Sequence, residues 1–174
     1  MRRLHQLVLG LAVMGVLTIS AVPANAQACG ATTSTTLFAG QTFVAGTIWI
    51  SNDADNIYIQ YLTDSPWVMS DAHAAVASTL AGIPQTQTNN PIPGRFAYSA
   101  TFDPEVSSYT FVIPLAGSFA VDQTVFIAAH ALVQAPKAFG GSQTGWGFGP
   151  GFQGSNWATY LTYTIQDCGG GPIA

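Results

Sequence analysis

Histidine is scarce after the first 26 residues, where only His73 and His130 occur. Asp71 is two residues from His73, so the two would share one face of a β-strand. Two imidazoles and a carboxylate could hold zinc or a similar ion with one open position, as in a metal-dependent hydrolase. The alternative is structural, with each buried histidine hydrogen-bonded to backbone or hydroxyl groups. Asp71, His73 and His130 match no metal motif, which favours the structural role.

Four aromatic residues form a second group of candidates, in and beside the glycine-rich stretch 139–155. They are Trp146, Phe148, Phe152 and Trp157. Exposed rings could stack on sugars or dock a partner, whereas buried rings would plug the core above glycine turns. The alternation around Trp157 favours the plug. The candidate binding residues are His73, His130, Trp146 and Phe148.

Other chemistry finds little support. Serine and threonine are common, but no G-x-S-x-G motif and no ordered Ser/His/acid set is present. Glu105 is the only glutamate and follows Pro104, so we assign it no acid role in glycoside hydrolysis. Residues 53–56 could offer oxygen atoms to calcium, but their composition is typical of a plain hairpin turn. The sequence predicts no catalytic residue and no cofactor.

The first 26 residues resemble a secretory signal peptide. Arg2 and Arg3 precede an apolar run over 7–19, and Ala24 to Ala26 form an A-x-A cleavage site. Residues 27–174 then form a single domain, with no membrane span after cleavage. An oxidising compartment allows Cys29 and Cys168 to form a disulfide, which would close a loop of about 140 residues and contribute up to about 5 kcal/mol.

Charge excludes a nucleic-acid binder. Of four Lys and Arg residues, two lie in the leader, so the rest of the chain has two cationic residues, Arg95 and Lys137, and all eight Asp and Glu residues. Phosphate neutralisation needs several cations on one surface. Disorder is excluded because 48% of the chain is apolar and 11% aromatic, enough to fill a core.

The hydrophobic pattern predicts an all-β protein, an antiparallel β-sandwich with room for one short helix. Alternation predicts strands over 41–51, 56–63, 109–113, 125–134 and 156–166. Residues 27–36 look like a polar lead-in, and the proline-rich stretch 82–108 a long excursion. Residues 67–77 fit a helix, because of their alanines, or a strand, because of their neighbours.

Two stretches resemble an extracytoplasmic β-domain of bacterial surface and secreted proteins that has no established activity. They are the A-A-H-A strand at 128–131 and the T-x-W-G…F-x-G-x-N-W-x-x-Y ending at 144–160. The resemblance covers most of 44–166 and implies a strand around His73. Gln143 and Gly145 depart from the acidic residue and alanine that relatives often carry, which argues against a carboxylate role at position 143.

These observations predict a secreted or cell-surface, non-enzymatic β-sandwich module with a binding or structural role at the cell exterior. Its expected partner is a surface glycan or a protein. The alternative is the metal-dependent hydrolase centred on Asp71, His73 and His130.

Overall fold

Strands make up nearly all of the regular structure. The computed structural model describes residues 29–169, so the predicted signal peptide over Met1–Ala26 lies outside the described residues. The nine strands are β1 (Cys29–Ala39), β2 (Phe43–Asn52), β3 (Asn56–Thr63), β4 (Val68–Ala77), β5 (Tyr98–Val106), β6 (Ser108–Pro114), β7 (Thr124–Gln134), β8 (Ser142–Gly147) and β9 (Leu161–Thr164). Three single-turn 3-10 helices lie at Leu80–Gly82, Pro93–Arg95 and Lys137–Phe139.

The predicted all-β class is confirmed. The described part of the chain contains no α-helix, and the ambiguous stretch 67–77 becomes strand β4. Within residues 29–169, no helix has the length and hydropathy needed to cross a bilayer.

All nine strands belong to one antiparallel sheet that nearly closes on itself. The order is β5-β4-β7-β8-β1-β2-β3-β6, and β9 pairs with the free half of β7 beside β8. The two ends of this order, β5 and β6, are separated in sequence by Ser107 alone. β5, which pairs with β4, and β6, which pairs with β3, therefore lie next to each other and bring the two ends of the sheet together.

The main core lies on the inner face of the sheet, where every second side chain along a strand is buried. In β3 the fully buried residues are Ile57, Ile59 and Tyr61, as the alternation predicts. The Tyr61 hydroxyl donates a hydrogen bond to the His73 carbonyl oxygen at 2.8 Å, which ties β3 to β4.

The two ends of the described chain are fastened together. Cys29 at the start of β1 forms a disulfide with Cys168, beyond β9, and their Cα atoms are 5.2 Å apart. Beside it, the fully buried Asn52 side chain donates to the Gln166 carbonyl oxygen and accepts from the Tyr163 hydroxyl. The predicted disulfide is confirmed.

The turn over 53–56 is a hairpin turn that uses the Asp53 carboxylate internally. Asp53 accepts hydrogen bonds from the N–H groups of Asp55 and Asn56 and from the Tyr58 hydroxyl. These bonds account for the turn composition without a bound cation.

Candidate functional site

A row of side chains crosses five strands on the outer face of the sheet. Residues directly opposite in an antiparallel sheet share a face. The row runs through Ser99, His73, His130, Trp146 and Phe38. The sequence neighbours of both histidines are alanines of the main core, so the imidazoles point away from that core.

Two loops cover part of this outer face. The first cover loop (residues 78–97) follows β4, and the second (residues 148–160) follows β8. With outer-face residues of the sheet they build a second, smaller core of seven buried residues: Ala75, Ile83, Phe96, Ala128, Trp146, Phe152 and Ala158. Glycine is needed where the loops meet, because a Cβ at Gly154 would lie 2.3 Å from the Asn90 amide oxygen.

His73 and His130 lie side by side on this outer face. They are opposite each other in the β4–β7 register, with ring centroids 5.6 Å apart. The His130 ring also meets Trp146 edge to face, at 4.7 Å between centroids. The Nδ1 atom of each histidine is buried and has no hydrogen-bond partner. The predicted structural role, in which each buried histidine finds a partner, is therefore wrong for these two nitrogen atoms.

Both imidazoles are neutral near pH 7. Burial, followed by the neighbouring His73, lowers the pKa of His130 to about 3, although the Asp71 carboxylate acts in the opposite direction. Burial also lowers the pKa of His73, again opposed by Asp71. Neutral imidazoles have a free lone pair, so both remain available as acceptors or metal ligands.

Asp71 lies on the same face as the histidines. Its carboxylate accepts a hydrogen bond from the Thr101 hydroxyl at 3.0 Å. The structure thus brings Asp71, His73 and His130 close together. The sequence analysis had predicted that Asp71 and His73 share one face of a strand. However, no three His, Cys, Asp or Glu side chains within 29–169 are arranged to hold a metal ion.

Beyond Trp146 the same face opens into a groove of about 230 Å³, here called the aromatic groove. Six residues line it: Phe38, Gln41, Trp146, Phe148, Trp157 and Thr159. Phe148 is 60% exposed, and its ring meets Phe38 edge to face at 5.6 Å between centroids. Trp157 is half-buried. The groove therefore presents aromatic rings to solvent, with an amide and a hydroxyl beside them.

Tight turns place the two polar groups of the aromatic groove. Gly40 and Gln41 both have positive φ, of 55° and 72°, in the turn between β1 and β2. Consecutive left-handed residues are typical of short hairpins, and here they put Gln41 at the groove. On the other side, the Thr159 hydroxyl donates to the Gly147 carbonyl oxygen at 2.7 Å and can still accept a hydrogen bond.

Only two of the four aromatic residues that the plug would bury are in fact buried. Trp146 and Phe152 are buried in the second core, whereas Phe148 is exposed and Trp157 half-buried. Sequence reasoning selected Trp146 and Phe148 but missed Phe38, Gln41 and Thr159. The Gly40-Gln41 pair was a usable turn signal, whereas nothing in the sequence connects Phe38 with Trp146.

A second groove, of about 240 Å³, lies between the two cover loops. It is lined by Leu80, Ala81, Gln85, Asn89 and Gln153. Gln85 uses its amide N–H to bind the Leu80 carbonyl oxygen at 2.8 Å, so part of this lining is committed to holding the loop. The aromatic groove is therefore the better candidate for binding.

Fold and site define an all-β protein whose covered outer face carries a histidine pair and an open aromatic groove. Comparison with known proteins found no matching family model, no matching curated protein and no matching solved structure.

Proposed function

We propose that this protein is a non-enzymatic module that binds a neutral glycan in the aromatic groove. The observation that carries the proposal is the lining of that groove. Exposed Phe148 and half-buried Trp157 offer flat apolar faces, on which the C–H faces of a sugar ring can stack. Gln41 and Thr159 add an amide and a hydroxyl for sugar hydroxyl groups.

Charge favours a neutral glycan over an acidic one. None of the six lining residues carries a charge. The chain after the predicted leader has only Arg95 and Lys137 as cations, against eight acids. A polyanionic polymer would therefore be repelled by the protein as a whole, whereas an uncharged sugar chain meets no such barrier.

Titration of the purified protein with neutral polysaccharides, followed by tryptophan fluorescence, tests this proposal. Trp146 and Trp157 both line the groove, so a bound sugar should change the emission of at least one of them. Phe148→Ala should weaken binding by roughly twofold to twelvefold, because one aromatic stacking contact contributes about 0.5–1.5 kcal/mol.

Phe139→Ala is the matched control, since Phe139 is 53% exposed but does not line the groove. It should bind as the unmodified protein does. Equal affinities of the two alanine variants, or emission that no neutral polysaccharide changes, would contradict the proposal.

The proposal includes a β-sandwich architecture and a location at the exterior of a bacterial cell. The hydrogen bond from the Tyr61 hydroxyl to the His73 carbonyl oxygen supports the first, because it joins β3 to β4, two strands that are not neighbours in the strand order. The apolar leader and the Cys29–Cys168 disulfide support the second, because disulfides persist in oxidising compartments.

The hydrolase alternative rests on the adjacency of His73 and His130. We favour the binding role because the Nδ1 atoms of both histidines are buried, while the aromatic groove is open to solvent. Hydrolysis of a polysaccharide during the titration would reverse this preference.

A further inference from the structure

We propose that His73 and His130 bind one borderline transition-metal ion, such as Zn²⁺ or Cu²⁺, through one nitrogen of each ring. This site is separate from the aromatic groove, so the inference goes beyond the glycan proposal. It starts from the two buried Nδ1 atoms that have no partner.

The unpartnered nitrogens need an explanation because they are costly. A buried polar atom that loses water without gaining a hydrogen bond destabilises the folded state. Such atoms are rare in native proteins, and a bound ion or water is a usual reason for them. His130 is only 6% exposed, so bulk solvent does not relieve its Nδ1. One metal ion between the rings would satisfy both atoms at once.

The distance between the rings fits such an ion. A metal about 2.0–2.1 Å from one nitrogen of each ring lies about 3.2 Å from each ring centre, so tetrahedral or wider angles place the centres roughly 5–6 Å apart. The observed separation is 5.6 Å. The strand register sets this distance, since the two residues are direct neighbours across β4 and β7.

The chemistry of the donors selects the class of metal. Imidazole nitrogen suits zinc, copper and nickel, and not calcium or magnesium, which prefer oxygen. Asp71, on the same face, brings a negative charge that acts on both imidazoles and would attract a cation. Since the described residues contain no three-ligand group, water would complete the coordination.

Equilibrium dialysis of the chelator-treated, purified protein against ZnCl₂ or CuCl₂, followed by elemental analysis, tests the proposal. One ion per chain is expected for at least one of the metals at about 100 μM. His73→Phe and His130→Phe should each weaken binding by more than about tenfold, because each removes one of two protein ligands. Asp103→Asn, which changes a carboxylate on β5 that neither imidazole senses, should bind normally.

A second measurement separates lost ligands from lost folding. Metal addition should shift the ¹⁵N resonances of the His73 and His130 side chains in the unmodified protein, which needs no variant. Unshifted resonances, a bound fraction below about a tenth of an equivalent, or metal retained by both phenylalanine variants would overturn the proposal. His73 does not line the aromatic groove, so glycan binding can be scored independently in His73→Phe, whereas His130 packs against Trp146 in the groove lining.

Discussion

Replacing His130 with phenylalanine should remove most of the acid sensitivity of the fold in chelator-containing buffer. Burial and the neighbouring His73 lower the pKa of His130 from 6.5 to about 3. The unfolded chain therefore takes up a proton at this residue well before the folded protein does. Stability is complete above the unfolded pKa of 6.5 and is lost as the pH falls towards the folded pKa.

The size of the effect follows from the two pKa values. Each pH unit below 6.5 removes about 1.4 kcal/mol, so about 2 kcal/mol of the free energy of unfolding is lost near pH 5. The Asp53 carboxylate does not account for this window. Burial raises the pKa of Asp53, but hydrogen bonds from Tyr58 and from the N–H groups of Asp55 and Asn56 together lower it below the ordinary value of 3.8.

Urea denaturation at several pH values between about 7.5 and 5 measures the prediction. The unmodified protein should lose stability with each step, and His130→Phe should lose much less. His73→Phe should flatten the profile too, because burial also lowers the pKa of His73. Parallel profiles for the unmodified protein and His130→Phe would refute the reasoning, since they would place the titrating group elsewhere.

Three further predictions concern the framework around the site. Cys29→Ser should cost up to about 5 kcal/mol in urea denaturation, because it opens the loop closed with Cys168; a reductant should reproduce the loss in the unmodified protein. Asn52→Ala should cost about 3 kcal/mol or more, since it leaves several buried groups unpaired; a loss below about 1 kcal/mol would contradict the network. Gly149→Ala should disturb the second cover loop and weaken glycan binding, because its Cβ would lie 2.0 Å from a carbonyl oxygen. Gly151→Ala, with open space around it, should be neutral in both the thermal melt and the fluorescence titration.

Strands with an alternating or a continuously apolar pattern could be predicted from the sequence. The alternation over 56–63 gave the bounds of β3, and the apolar stretch 125–134 gave β7 except for Thr124. In β3, β-branched and aromatic residues recur at every second position, which is the period of a half-buried strand, whereas β7 is buried on both faces over 127–131. The stretch 109–113 similarly became the centre of β6.

Other strands carried no such signal, for identifiable reasons. Residues 27–36, interpreted as a polar lead-in, mostly belong to β1, whose residues 32–34 are polar and exposed. The glycine-rich stretch contains β8, where Gly145 and Gly147 allow close packing: a Cβ on Gly145 would lie 3.1 Å from the Phe38 carbonyl oxygen. Glycine has no side chain and so contributes nothing to a hydrophobic pattern.

Two predicted segments were wrong in their extent. The proline-rich excursion over 82–108 ends earlier, because Tyr98–Val106 pairs with β4 as an edge strand, where proline is tolerated. The final strand, expected over 156–166, is limited to Leu161–Thr164. Its first residues turn back over the sheet instead, since Phe152 N–H donates to the Ala158 carbonyl oxygen within the second cover loop.

The site itself depends on register, which the sequence does not reveal. His73 and His130 were both selected from residue type, but their contact follows from the pairing of β4 with β7. A shift of one residue in that pairing would turn one imidazole into the main core. The aromatic groove likewise needs Phe38, which reaches Trp146 only because β1 pairs with β8.

The unpartnered Nδ1 atoms of the histidine pair lower the stability of the fold, so replacing one of the two histidines is informative. A phenylalanine at position 130 keeps a ring against Trp146 and removes an unpartnered nitrogen, so metal-free His130→Phe should be at least as stable as the unmodified protein near pH 7. Residues that lower stability are found where function requires them. If the variant gains stability and loses the metal ion, the pair is retained for binding. If it gains stability and loses nothing, the imidazoles serve neither proposal, and the aromatic groove alone carries the function.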